Sequence, residues 1–219
     1  MTEQRRLARL AALLGSVATG SLAACASISH PLVHYQEVYT RSALTVPDPE
    51  PGALSRLDAA QVRRGRYLVQ ITGCAGCHTD GALIGEPDPS RALAGSQIGI
   101  AYTDPMRTTL PGVAFAANLT PDAKTGLGRW TDPQIIAAIR GGAAGPGAGQ
   151  GHRVIMPWPL FASLADDDVN AIVQYLRSIP AIEHRVPASV PPGVRAAGLY
   201  VYFGVFRSGP FLAPAAPGR

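Results

Sequence analysis

GCAGCHTD, residues 73–80, sets two thiols, Cys74 and Cys77, three positions apart and follows the second at once with the imidazole of His78. The chain holds three cysteines, so two of them fall here. A redox dithiol would want a βαβ context, which the flanking residues do not supply. A structural zinc site would want four ligands, usually from two such clusters. The remaining cysteine is Cys25, far off, and no second pair has ligand spacing. The third reading is covalent haem attachment, for which Cys-x-x-Cys-His is the c-type pattern. Both thiols can add across the vinyl groups of one porphyrin edge, and the adjacent imidazole reaches the iron from the proximal side. Ala75 and Gly76 are small enough not to obstruct that approach. Haem is the favoured reading, with the dithiol and the metal site as its alternatives.

The surroundings suit an exported globular domain rich in turns. The 219 residues are 47% hydrophobic and 16% charged, with 24 Gly and 20 Pro. That length implies one domain with extensions, or two small ones at most. The formal net charge of +4 is spread along the chain, and Lys124 is the only lysine, so nothing points to nucleic acid. No dinucleotide fingerprint, phosphate loop or hydrolase elbow is present. Residues 1–24 read as a signal peptide: a basic start with Arg5, Arg6 and Arg9, then the apolar LAALLGSVATGSLAA, too short to span a bilayer comfortably. The segment ends in Leu22-Ala23-Ala24-Cys25, similar to the lipobox of bacterial lipoproteins, in which the cysteine is lipidated. An ordinary cleaved signal peptide with an incidental cysteine is the alternative. Several acyl chains would anchor the protein stably, where one alone is marginal.

Residues 25–56 read as a linker, because VPDPEPGALS places three prolines close together. A helix is expected from Asp58, as its cap, to about Thr72, with Val62, Leu68, Val69 and Ile71 as apolar positions. Gly65 inside it costs stability relative to Ala, which a close helix crossing would explain. Residues 80–128 read as loops with room for short strands. A second helix is expected after Thr131, with Pro133 in its first turn and Gln134 completing a capping box, its apolar face being Ile135, Ile136 and Ile139. A glycine-rich loop then leads to His152, Arg153 and Met156. The last helix is expected to be capped by Ser163, with Asp166, Asp167 and Asp168 at the positive end of its dipole and Val169, Ile172, Val173, Tyr175 and Leu176 inward. Pro180 ends it. The tail is Pro- and Gly-rich apart from GLYVYFGVF at 198–206, which is expected to pack on the same chain as a strand or wrap, an exposed patch that docks a partner being the alternative.

Helix, Cys-x-x-Cys-His, loops, methionine, last helix is the order of small cytochromes c. NLTPDAKTGLGRWTDPQIIAAIRGG and VIMPWPLFASLADDDVNAIVQYLRSIP resemble the cytochrome c domains of dehydrogenase-associated subunits, over roughly residues 58–182. Those subunits often carry three haem domains, whereas this chain has one Cys-x-x-Cys-His. The resemblance implies an all-α fold: a small cytochrome c domain at 57–182, three to four helices around one covalent haem c, with long loops, a linker before it and an extension at 183–219. It implies Cys74 and Cys77 as thioether carriers and His78 as the proximal ligand.

Opposite His78, methionine sulfur is the usual partner. Met156 lies after the glycine-rich loop, is followed by Pro157 and matches the ligand position of the resemblance. Met106, in DPMRTTLPG, is the second choice. His30, His34 and His184 read as solvated side chains, and His152 as a minor rival for the iron. Trp130 and Trp158 are candidates to pack on the porphyrin or donate to a propionate. Arg153 and Arg140 are candidates to neutralise propionates, and Asn118 and Thr120 to cap a turn beside the haem. The expected function is electron transfer between a periplasmic or membrane-associated dehydrogenase and the respiratory chain, with no substrate of its own. Redox partners would be a dehydrogenase subunit, an oxidase or another cytochrome. The expected place is the periplasmic side of a bacterial membrane, the outer one slightly favoured, or the soluble periplasm. A haem enzyme or ligand sensor with an open distal site is the alternative.

Overall fold

The carboxylate of Asp58 accepts the N–H groups of Ala60 and Gln61 at 2.8 and 3.2 Å and so opens helix α1, Ala59–Ile71. These two donors have no partner inside the helix, which is why an Asp in this place starts one. The computed structural model describes residues 44–104, 109–141 and 155–202. Cys25, His30, His34, Met106, His152 and Arg153 lie outside them. Within α1, Val62, Gly65, Leu68 and Val69 are buried. Ile71 departs from its expected inward position and is 58% exposed, because a step of two residues from buried Val69 turns it to the opposite face of the helix.

Gly73 adopts φ 73°, a left-handed conformation that suits glycine, and redirects the chain into the short helix α2, Cys74–His78. Helix α3, Asp132–Gly141, begins as expected: Gln134 Oε1 accepts Thr131 N–H at 2.8 Å and Thr131 Oγ1 accepts Gln134 N–H at 3.4 Å. One turn, α4, spans Trp158–Phe161, and the last helix, α5, spans Asp166–Ser178. Ser163 does not cap α5. Its hydroxyl donates to Leu160 O at 2.7 Å, closing α4 instead, and the residue before α5 is Ala165, which makes no side-chain cap. Three aspartates in the first turn supply the favourable charge that remains.

Helices α1 and α5 form the main core. Val62, Leu68 and Val69 meet Ala171, Ile172, Val173, Tyr175, Leu176 and Ile179, with Ile135 of α3 and Leu127 completing the layer. Full burial of each Val, Leu or Ile side chain contributes about 1.5–3 kcal/mol. Gly65 makes the crossing possible, since a Cβ there would sit 1.9 Å from Ala171 O. The Pro-rich stretch before α1 lies along these helices without regular structure. Val46 and Ala53 are buried, Tyr175 donates to Pro47 O at 2.7 Å, and Glu50 N–H donates to Ser178 O at 2.7 Å.

The molecule is mainly helical, but the all-α expectation needs one correction. A three-stranded sheet runs in the order β2-β1-β3, with β1 Gly99–Ala101, β2 Val113–Phe115 and β3 Tyr200–Tyr202. β2 is antiparallel to β1 and β3 is parallel to it, with Gly99 opposite both Phe115 and Tyr200. Gly99-Ile100-Ala101 is buried along its whole length, so it shows no alternation to reveal a strand. β3 comes from the tail beyond 182; residues 200–202 of the apolar run pack on their own chain as expected, and residues 203–206 lie outside the described residues. No helix of the described residues is long and apolar enough to cross a membrane.

Candidate functional site

One turn of α2 carries Cys74, Cys77 and His78 together. Cys74 packs against the helical core, the cluster to which Ala75 and Leu68 belong. Cys77 packs against a second apolar cluster of Leu83, Ile98 and Ile100, joined by Ile84, Ile155 and Val201. The pair therefore stands where the helical layer meets the sheet side. Ala75 belongs to the helical core, so its small size serves packing there.

Both thiols are half-buried and unbridged. Burial pushes their pKa values above the ordinary thiol value, opposed at Cys74 by a contact of 3.4 Å with Thr72 Oγ1. A reactive redox dithiol needs the opposite, a lowered pKa. Among the described residues no group of three or more His, Cys, Asp or Glu side chains is assembled to hold a metal ion, so the zinc reading finds no support there.

His78 Nδ1 lies 2.7 Å from Ala117 O. A carbonyl only accepts, so Nδ1 carries the proton and donates, which leaves the Nε2 lone pair for a metal. Burial lowers the His78 pKa, and the bond to Ala117 O offsets this in part. The neutral form thus favoured is the form that ligates iron. The backbone around it is fixed as well: Gly95 N–H donates to His78 O at 2.8 Å and Leu93 N–H donates to Thr79 Oγ1 at 3.2 Å.

The segment bearing Ala117 is held by a buried polar knot. Asn118, 2% exposed, accepts at Oδ1 from Thr120 N–H and Thr120 Oγ1, at 2.9 and 2.7 Å. Its Nδ2 donates to Thr125 Oγ1 at 3.0 Å and Ile182 O at 2.8 Å. Thr120 Oγ1 accepts Ile182 N–H, and Thr125 Oγ1 accepts His184 N–H. Asn118 and Thr120 thus cap a turn as expected, and they also tie residues 182–184 to the His78 side of the domain.

His184 corrects its reading as a solvated side chain. It is 8% exposed, its Nδ1 donates to Ala94 O at 2.9 Å, and its Nε2 faces Gln97 Nε2 at 3.1 Å and Arg91 Nη1 at 3.4 Å. Asp80 joins this group, accepting from Arg91 Nη1 at 2.9 Å and Gln97 N–H at 2.8 Å. Nothing in the sequence marks His184, because its partners lie about ninety positions away.

Met156 is half-buried in the turn before α4, and its neighbour Ile155 joins the same cluster as Cys77. Trp158 directs its indole N–H to Ala138 O of α3 at 3.1 Å, so that donor is already engaged within the chain. Trp130 lies half-buried against the helical core, and its carbonyl accepts from Arg177 Nη2. Arg140 Nη2 is engaged by Leu164 O and Asp166 Oδ1, both at 2.7 Å, while its Nε is buried with no partner among the described residues.

A neutral imidazole with Nε2 available, two thiols on the same turn and apolar clusters on both sides fit a covalently held haem. Comparison with known proteins agrees. Residues 62–180 match the family model described as Cytochrome c. The alcohol dehydrogenase (quinone) cytochrome c subunit of Gluconobacter oxydans is 34% identical over 118 residues, 54% of this chain and 21% of that protein. The fructose dehydrogenase cytochrome subunit of Gluconobacter japonicus is 32% identical over 119 residues, 54% of this chain and 22% of that protein. A diheme cytochrome c-type protein of Cereibacter sphaeroides is 33% identical over 126 residues, 57% of this chain and 38% of that protein. The chain spans about a fifth of the length of the first two.

Proposed function

Because the chain belongs to the cytochrome c family, we propose that it is a single-electron carrier with one covalent haem c and no substrate of its own. In this reading Cys74 and Cys77 form the thioethers, His78 is the proximal ligand and Met156 the distal one. Trp130 and Trp158 are assigned to the haem pocket, and Arg153, which lies outside the described residues, to a propionate. The observation that carries the reading is the 2.7 Å bond from His78 Nδ1 to Ala117 O, next to two thiols on one turn. That bond fixes the ring, sets its tautomer and raises its basicity as a ligand. When bound, the haem supplies an iron that alternates between ferrous and ferric states. The protein's part is to keep both ligands in place through that change and to surround the site with apolar side chains, which limits reorganisation. The relatives support a place beside a dehydrogenase: the alcohol and fructose dehydrogenase proteins it resembles are the cytochrome subunits of such enzymes. Cys25 as a lipidated anchor on the periplasmic side of a membrane, the outer one favoured, completes the reading.

The test is expression of the full chain in a host that attaches haem c. The pigment is expected to remain on the polypeptide after denaturation, at one haem per chain by pyridine haemochrome absorbance. The oxidised protein is expected to show the weak far-red band of methionine–iron bonding. A colourless product would overturn the reading. A pigment lacking the far-red band would replace the carrier with a haem protein whose distal site is open.

A further inference from the structure

We infer that Asn118 is a positioning residue for the proximal imidazole: its side chain fixes the carbonyl of Ala117, the preceding residue, and through it the His78 Nδ1 bond. The inference rests on His78 being the iron ligand. The Ala117 carbonyl has no rigid element behind it, since the chain from 116 to 120 is neither helix nor strand. Its place is set by backbone bonds on either side, Ser96 N–H to Ala116 O at 3.1 Å and Leu119 N–H to Leu93 O at 2.9 Å, and by the Asn118 side chain between them. That side chain makes four hydrogen bonds, two at Oδ1 and two at Nδ2, and so has its full ordinary complement. Four bonds across three chain segments define the orientation of the 117–118 peptide far more tightly than a packed apolar residue would. Gly95 admits this peptide closely, as a Cβ at Gly95 would stand 2.9 Å from both Ala116 O and Asn118 N.

A carbonyl held on the imidazole N–H makes the ring a stronger donor to iron and favours the ferric state. Loosening it raises the reduction potential. Asn118→Ala in the haem-loaded full chain is therefore expected to move the ferric–ferrous equilibrium toward ferrous by up to about tenfold, a positive shift of up to about 59 mV for one electron. The His78 Nδ1 proton resonance of the ferrous protein is expected to move upfield as the bond lengthens. The far-red methionine band stays. Val169→Ala, in the first turn of α5, is a stability control and is expected to change neither readout. If Asn118→Ala fails to assemble, Asn118→Asp, which keeps the Oδ1 acceptor but loses both Nδ2 bonds, is read by the same two measurements. An unchanged Nδ1 resonance, or a shift of potential to lower values as water entry would give, overturns the inference. Failure of the parent reading looks different: the unmutated protein would then lack covalent pigment or an iron-bound His78.

Discussion

At the scale of the residue, Gly65 shows how one missing methyl group decides a helix crossing. The atom it would meet is a backbone carbonyl at 1.9 Å, which cannot swing aside. Gly65→Ala gains helix propensity, yet it must push α1 and α5 apart, and overpacking of this kind costs about 1–3 kcal/mol. A lower midpoint in thermal or denaturant unfolding is the expected result, and an unchanged midpoint would show that the helices slide without cost. Met156→Ala is expected to abolish the far-red band while covalent haem is retained, since the proposed thioethers are formed by Cys74 and Cys77. Absorption spectra of the oxidised variant check this. The Cys-x-x-Cys-His turn was legible in the sequence because all its parts are local. Ala117 was not, since its role belongs to a carbonyl, which every residue has. His184 was hidden for a related reason: its burial depends on Ala94, Arg91 and Gln97, and no local pattern announces such a set.

At the scale of the element, α1 and α3 were legible from their caps and apolar spacing. The start of α5 was misread at Ser163 because a short helix intervenes and uses that hydroxyl. Short strands had room in these loops, but their pairing into one sheet was not legible, because they are three residues each and come from segments far apart. The turn after Asn118 offers a pH test. Asp122 accepts from Thr125 Oγ1 and N–H and from Lys124 N–H, and these bonds hold its carboxyl below the ordinary value of 3.8. A carboxyl lowered by folding adds stability above its unfolded value and loses it as pH falls through the folded one. Asp122→Ala is therefore expected to melt lower than the parent at neutral pH, with the gap closing below about pH 4. Thermal melts of both proteins across acid pH measure it, and a gap independent of pH would assign the loss to something other than the carboxylate. For β3, Val201→Glu sets a charge against the cluster of Cys77, Ile98 and Ile100. Loss of stability by about 1–3 kcal/mol is expected from the buried polar group it creates, read by denaturant unfolding.

At the scale of the whole molecule, the tail and the Pro-rich stretch before α1 serve the domain between them. Residues 44–57 cover the α1–α5 pair and residues 182–202 close the other side. Cys25→Ser in the full chain is expected to move the protein from the membrane fraction to the soluble periplasmic fraction, read by immunoblot after cell fractionation. Retention in the membrane would shift the attachment to another part of the chain. The parallel pairing of β3 with β1 also has a consequence for assembly. A chain delivered from its first residue onward presents the thiols of α2 long before Tyr200 emerges, and a pairing of such distant partners forms late. Until it forms, the outer flank of Gly99–Ala101 has no neighbour and the wall beside Cys77 lacks Val201. The order of synthesis thereby leaves a doorway beside the α2 turn, and the closing strand is the final piece to be hung in it.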